Sequence, residues 1–242
     1  MATVALIFLL ASQLAAVPSR FDAASVRPSA APNGQDGEVT VERGRFIARN
    51  ATLKRLVFEA WRLPYAQIQG GPAWVNDREY DVEAVTSRAV DPDDLRLMLR
   101  ELLLERFSMK VHSETRPSRV YVLASIAKDG KLLAAGRPPA SWRFHGDMNE
   151  FTNVLAIQLT IPLLNDSSTP SVARGAALPV LNQTGIQGPQ DIALTIRPDQ
   201  GGDAFTVWKR ALREQLGLAL DSRRMPVEFL VIDKAEKDPL AN

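Results

Sequence analysis

Cysteine is missing from all 242 residues, and histidine occurs only at His112 and His145. Without cysteine there is no disulfide framework, no thiol nucleophile and no thiolate metal site. Neither histidine has a second ligand at helical spacing, so a histidine-centred metal site has no local signature. The chain also lacks HExxH, GxSxG, a P-loop and GxGxxG, which removes the usual marks of zinc peptidases, serine hydrolases and phosphate cradles. An excess of one charge is lacking too: 29 basic side chains stand against 28 acidic ones, a net charge of +1. That balance supplies no long-range field for nucleic acid or an anionic membrane. Metal ligands and cofactor motifs are therefore not expected, and no catalytic constellation is legible.

What is present is ordinary globular composition, 45% apolar and 24% charged. A chain of this size folds as one large domain or as two modules of about 100 residues each. Residues 1–17 carry no charge, and Val4–Leu10 is continuously apolar, followed by the small residues Ala11, Ser12, Ala15 and Ala16. The segment reads as a secretory signal, with cleavage expected between Ala15 and Arg20, although no Lys or Arg precedes the apolar run. It is shorter than the roughly 20 apolar residues of a membrane span. Export to the periplasm or exterior is the expectation, with no transmembrane span in the mature chain.

The remainder reads as one unit written twice. Leu99–Ser108 and Trp208–Gly217 match at an offset of 109, setting Leu99 with Trp208, Leu102 with Ala211, Leu103 with Leu212 and Phe107 with Leu216. Each segment runs into an alternating strand (Met109–His112 and Leu218–Asp221), then a short basic stretch with proline read as a turn, then a second strand. The second strands, Val120–Ala124 and Val227–Ile232, match at an offset of 107. Upstream, Arg45–Arg49 pairs with Trp142–His145 as a strand, and a helix stripe from Leu53 to Ala60, capped by Asn50, pairs with Phe151–Leu159. Trp74–Asn76 leading to Tyr80–Val85 then parallels Val180–Asn182 leading to Asp191–Thr195. Each copy reads strand–helix–strand–helix–strand–strand.

The expected fold class is α+β, with helices on a mainly antiparallel sheet. A first repeat spans 18–135 and a second 136–242, joined near Gly136-Arg-Pro-Pro139. Asp91-Pro-Asp-Asp94 places a cap, a first-turn proline and two acids at one helix start, which accounts for these acids better than a calcium loop does. Ser125-Ile-Ala-Lys128 has the spacing of a penicillin-recognising Ser-x-x-Lys but neither companion motif. Glu79, Asp81 and Glu83 share one strand face, the geometry either of a solvated edge or of a carboxylate pair split by burial.

Two loops at equivalent places stand out. Gly70–Asn76 presents Trp74 and Asn76 from a glycine–proline turn, and Asn182–Gly188 presents Asn182, Thr184, Gly185 and Gly188. They are the candidate binding loops, for an envelope protein or a small ligand; the bland reading is a pair of tight turns with a Trp that closes the core.

Several ordered segments carry a resemblance. They are Phe21–Ser29, Gly44-Arg-Phe46 with Asn50–Leu53, Gly70–Trp74, Tyr80–Ala84, Leu102–Phe107 with Lys110–Arg116, and Pro226–Asp233. Together they resemble the soil-associated protein family, an exported bacterial domain of unknown function. Such domains are sometimes joined to membrane antirepressor peptidases, which implies sensing rather than catalysis. In the loop Pro179–Ile192 this chain lacks the Asp–Lys and Arg–Tyr pairs usual in that family. The resulting expectation is a non-catalytic binding or sensory module. A hydrolase using Glu79–Glu83 or His112 is the alternative.

Overall fold

The computed structural model describes residues 20–34, 37–126, 132, 140–160, 178–197 and 203–240. The signal-like segment lies outside these residues, as do Leu164–Ala177 and most of Asp129–Ser141.

The first half opens with β1 (Ala23–Pro28), β2 (Glu38–Glu42) and β3 (Arg45–Thr52), and β3 runs into helix α1 (Leu53–Trp61). A 3-10 turn at Tyr65–Gln67 leads to β4 (Ile68–Gly70), and another at Ala73–Asn76 leads to β5 (Glu79–Val85). Helix α2 (Pro92–Arg106) and strand β6 (Lys110–Ser125) complete this half. The second half contains β7 (Trp142–Gly146), α3 (Met148–Gln158), β8 (Val180–Gln183), β9 (Gln190–Leu194), α4 (Ala204–Ala211) and β10 (Leu218–Lys234). A π turn at Leu212–Leu216 extends α4. The mixture of helices and largely antiparallel sheet is an α+β fold.

The centre is the ladder of β6 with β10, antiparallel along nearly the whole length of both strands. β4 adds in parallel beside Leu230–Ile232, and β8 adds in parallel beside Tyr121–Ala124, giving the order β4-β10-β6-β8. The short strand of each half thus completes the long strand of the other. A second sheet, β1-β5-β3-β2, belongs to the first half, and the pair β7-β9 to the second.

Two local readings are corrected here. The expected basic turns do not exist: each long strand runs straight through its proline, and Pro117 faces Pro226. Proline survives within a sheet only where its missing N–H would point away from a partner. Since β8 reaches no further than Tyr121 and β4 no further than Leu230, the outer edges beside both prolines are open.

The cap of α1 is the other correction. Thr52 accepts from the Arg55 N–H, whereas Asn50 sits in a β-bulge at φ 53° with its N–H donated to Asp81. Trp74–Asn76 lies in a 3-10 turn, as the glycine–proline stretch suggests, and β4 lies just before it.

Burial follows the helix stripes. Leu99, Leu102, Leu103 and Phe107 enter a core with α1, β3, β5 and residues Leu230 and Ile232 of β10. Trp208, Ala211, Leu212 and Leu216 enter a second core with α3, β8, β9 and Leu123 of β6. Both long helices stop at a left-handed residue, Ser108 (φ 43°) and Gly217 (φ 67°). Asp91 caps α2 and Asp203 caps the α4 start, as their sequences dictate.

Candidate functional site

The start of α3 organises the largest concavity described. Asp147 caps the helix by accepting from the N–H groups of Asn149 and Glu150, and Glu150 accepts in return from the Asp147 N–H. This reciprocal box fixes the helix entry. Gly146 precedes it at a point where a Cβ would collide with the Glu150 carboxylate and the Phe144 ring. The second oxygen of Asp147 accepts from Arg62, the left-handed C-cap of α1. Arg62 also lies 3.7 Å from Glu59, which pairs with Arg55 at 2.8 Å. Burial raises the Glu59 carboxyl above its usual range, against the pull of Arg55 and Arg62.

Around this junction opens a cleft of about 730 Å³. Arg62, Asp93 and Arg96 line it from the first half; His145, Asn149 and the loop carrying Asn182, Gln187 and Gly188 line it from the second. Asn182 is the organiser of that loop. Its Oδ1 accepts from both the N–H and hydroxyl of Thr184, and its Nδ2 donates to Asn149 at 3.2 Å. Thr184 in turn accepts from the Ile186 N–H, which plants Ile186 in the second core. Gly185 and Gly188 hold φ +72° with open space around them, so they turn the chain without packing.

The two candidate loops do not meet. Gly70 lies beside Ile232 and Asn182 beside Leu123, at opposite ends of the central ladder. Along the ribbon the separation is about 40 Å at roughly 3.3 Å per residue. Trp74 is half-buried, stacked on Phe107 with ring centroids 6.4 Å apart and edge-on to Tyr80. Asn76 donates back to Ala73 within its own turn. Of the candidate residues, Asn182 and Gly188 line the cleft.

The carboxylates proposed for acid–base work are bound in place. Glu79 is buried and accepts from the N–H groups of Asn33 and Gly34. Burial would push Asp81 upward, but the Asn50 N–H and the Ser29 hydroxyl more than offset it, and its pKa is lowered. Glu83 pairs with Arg45 and Arg49. His112 Nδ1 lies 2.9 Å from Asp233, whose hydrogen bond raises the imidazole pKa. Among the described residues no hydroxyl bonds its other ring nitrogen, so a hydrolytic triad is not assembled there. No group of three His, Asp or Glu among the described residues is placed to hold a metal ion.

Arg62, Arg96, Asp147 and Asn149 escape sequence reasoning because the cleft joins segments far apart in the chain. Asp147-x-x-Glu150 is the one readable signal, a capping box directly before a helix stripe.

Residues 54–235 match the family described as protein of unknown function, DUF3738. The chain belongs to this family. That span runs from α1 to the end of β10, with β1, β2 and β3 lying before it. No curated protein and no solved structure matches the chain. No helix among the described residues is long and apolar enough to cross a membrane.

Proposed function

We propose that this DUF3738 protein is an exported, non-catalytic binding or sensory module that takes a polar ligand in the cleft at the start of α3. The observation that carries the reading is the condition of the ionisable side chains there. Asp147 caps α3 and holds Arg62, Glu150 closes the capping box, Asp93 holds Arg96, and His145 holds Asp191. A general acid or base has to be free to exchange a proton with substrate, and Asp147 and Glu150 are instead committed to the cap of α3, while Asp93 and His145 belong to exposed surface pairs. Beside them, Nδ2 of Asn149 and the side-chain amide of Gln187 have no protein partner among the described residues. Neutral donors and acceptors over a wide mouth suit an amide- or hydroxyl-rich ligand.

Export rests on the uncharged apolar run at the N-terminus, and the soil-associated grouping rests on the ordered motifs of the chain. Descent from a duplicated unit is part of the same proposal. It is supported by the matching element order of the two halves and by their exchanged short strands.

Titrating purified protein by calorimetry with short peptides and oligosaccharides tests the site. Saturable binding weakened by Asn149→Ala and Gln187→Ala, and unchanged by Trp74→Phe, is the expected result. Turnover of an ester, glycoside or peptide that disappears in His145→Ala would show an enzyme instead.

A further inference from the structure

The two basic, proline-containing stretches, Thr115–Arg119 and Ser222–Pro226, are not turns but paired segments of the central ladder, and they set Arg119 directly opposite Arg224. Both side chains are exposed. Directly opposed residues of an antiparallel pair bring their Cβ atoms within about 5.5 Å, and like charges placed so are destabilising. A neighbouring acid could relieve the repulsion, yet among the described residues neither arginine has an ion pair or hydrogen bond.

The acids nearby are committed or out of reach. Asp221 and Glu114 point to the other face by strand alternation, where Asp221 holds Lys209 and Arg223, and Glu114 holds Arg116. Glu228 shares the arginines' face but stands four residues from Arg224, about 13 Å along the strand. The fold thus keeps an unneutralised guanidinium pair at its middle, where the ribbon is only two strands wide.

The surroundings narrow the occupant. Pro117 and Pro226 flank the pair, and each takes one outward N–H off its edge, interrupting the ladder an added strand would form. Attachment is therefore through side chains. Neither arginine lines either of the two described cavities. Two free cations on a chain of net charge +1 fall short of the extended basic stripe that nucleic acid or a membrane surface requires.

We infer that Arg119 and Arg224 form the docking point for an acidic segment of a protein partner, each guanidinium taking one carboxylate. A bidentate arginine–carboxylate contact supplies both strength and orientation, and a pair of them fixes the direction of the segment. The site is separate from the cleft, and neither reading depends on the other.

The test uses the full mature chain and a fluorescently labelled hexaglutamate peptide, followed by anisotropy at low and at physiological ionic strength. Binding is expected to weaken with salt. It should fall about tenfold in Arg224→Gln, which removes one of the two charge-assisted pairs. Arg224→Glu converts the opposed arginines into a complementary pair. It is expected to abolish peptide binding while raising the thermal midpoint by roughly one to three degrees. Arg213→Gln, exposed on the π turn, should leave binding unchanged.

Binding that survives Arg224→Glu overturns the proposal. So does a lowered midpoint in that variant, because the arginines would then not be in conflict. Pyrophosphate displacing the peptide at equal concentration would make the site one for free oxyanions. Recruitment of the wild type, but not of Arg224→Glu, to phosphatidylglycerol vesicles would make it a membrane contact. Either result rejects a protein partner.

Discussion

Arg62, the residue that ends α1, donates from its guanidinium to Asp147, the residue that begins α3. One bond thereby joins a helix C-terminus of the first half to a helix N-terminus of the second. A second link runs beside it, from the Tyr65 N–H to Oδ1 of the buried Asn153. The cleft wall is the junction between the halves, so its shape depends on how these two helices are held.

Asp147→Ala removes both the cap and the partner of Arg62, and should cost about 2 kcal/mol of stability. Asparagine caps as well as aspartate but carries no charge. Asp147→Asn should therefore cost about half as much, with Arg62 left facing Glu59 alone. Urea denaturation of the three proteins checks the ratio. Equal losses would mean that the cap contributes nothing, and no loss in Asp147→Asn would mean that the charge pair contributes nothing.

The exchanged short strands make a stronger statement about cooperativity. Leu230 and Ile232 of the second half complete the first core, and Leu123 of the first half completes the second. A fragment of residues 20–126 should fail to fold alone, because β6 would lose β10 along its full length. Mixed with a fragment of residues 140–240 it should regain structure at a one-to-one ratio. Circular dichroism of each fragment and of the mixture decides, and a cooperative melt of residues 20–126 alone would refute the prediction.

How much of this is legible in the sequence follows from periodicity. The helix stripes survive intact: Leu99, Leu103 and Phe107, and their counterparts Trp208, Leu212 and Leu216, are all buried. A stripe repeating every three or four residues specifies its own buried face, whatever it packs against. The long strands defeat local reading because proline in a basic stretch has the same signature as a turn. Only the non-local pairing of Pro117 with Pro226 permits it to continue as strand. Asn50 misleads for a related reason: the bulge that lifts it to positive φ is set by Asp81 on a neighbouring strand. The cleft is largely invisible in the sequence, since Arg62 and Asp147 meet across most of the first half of the chain.

Glu59 gives a pH dependence with a definite sign. Burial holds its folded-state pKa above the ordinary 4.5. The folded protein then binds the proton more tightly than the unfolded chain does. That contribution to stability is fully present below pH 4.5 and is lost as pH rises through the folded-state pKa. Glu59→Gln should flatten this part of the stability–pH curve, measured by urea midpoints from pH 4 to 7. An unchanged slope would place the titration on another group.

The prolines at the centre of the ladder predict behaviour in solution rather than stability. Each occupies the position where an outward N–H would otherwise be offered on an open strand edge. Unpaired edges are templates for a neighbouring chain, and proline blunts them. Pro117→Thr with Pro226→Thr restores two donors, one on each edge, within strands that already tolerate an extended backbone. The double variant should keep its thermal midpoint within about 3 °C of wild type. It should nevertheless self-associate in light scattering at concentrations where the parent is unchanged. If instead the variant melts early without associating, the prolines serve to rigidify the ribbon through their fixed φ, and the edges are protected by the arginines beside them.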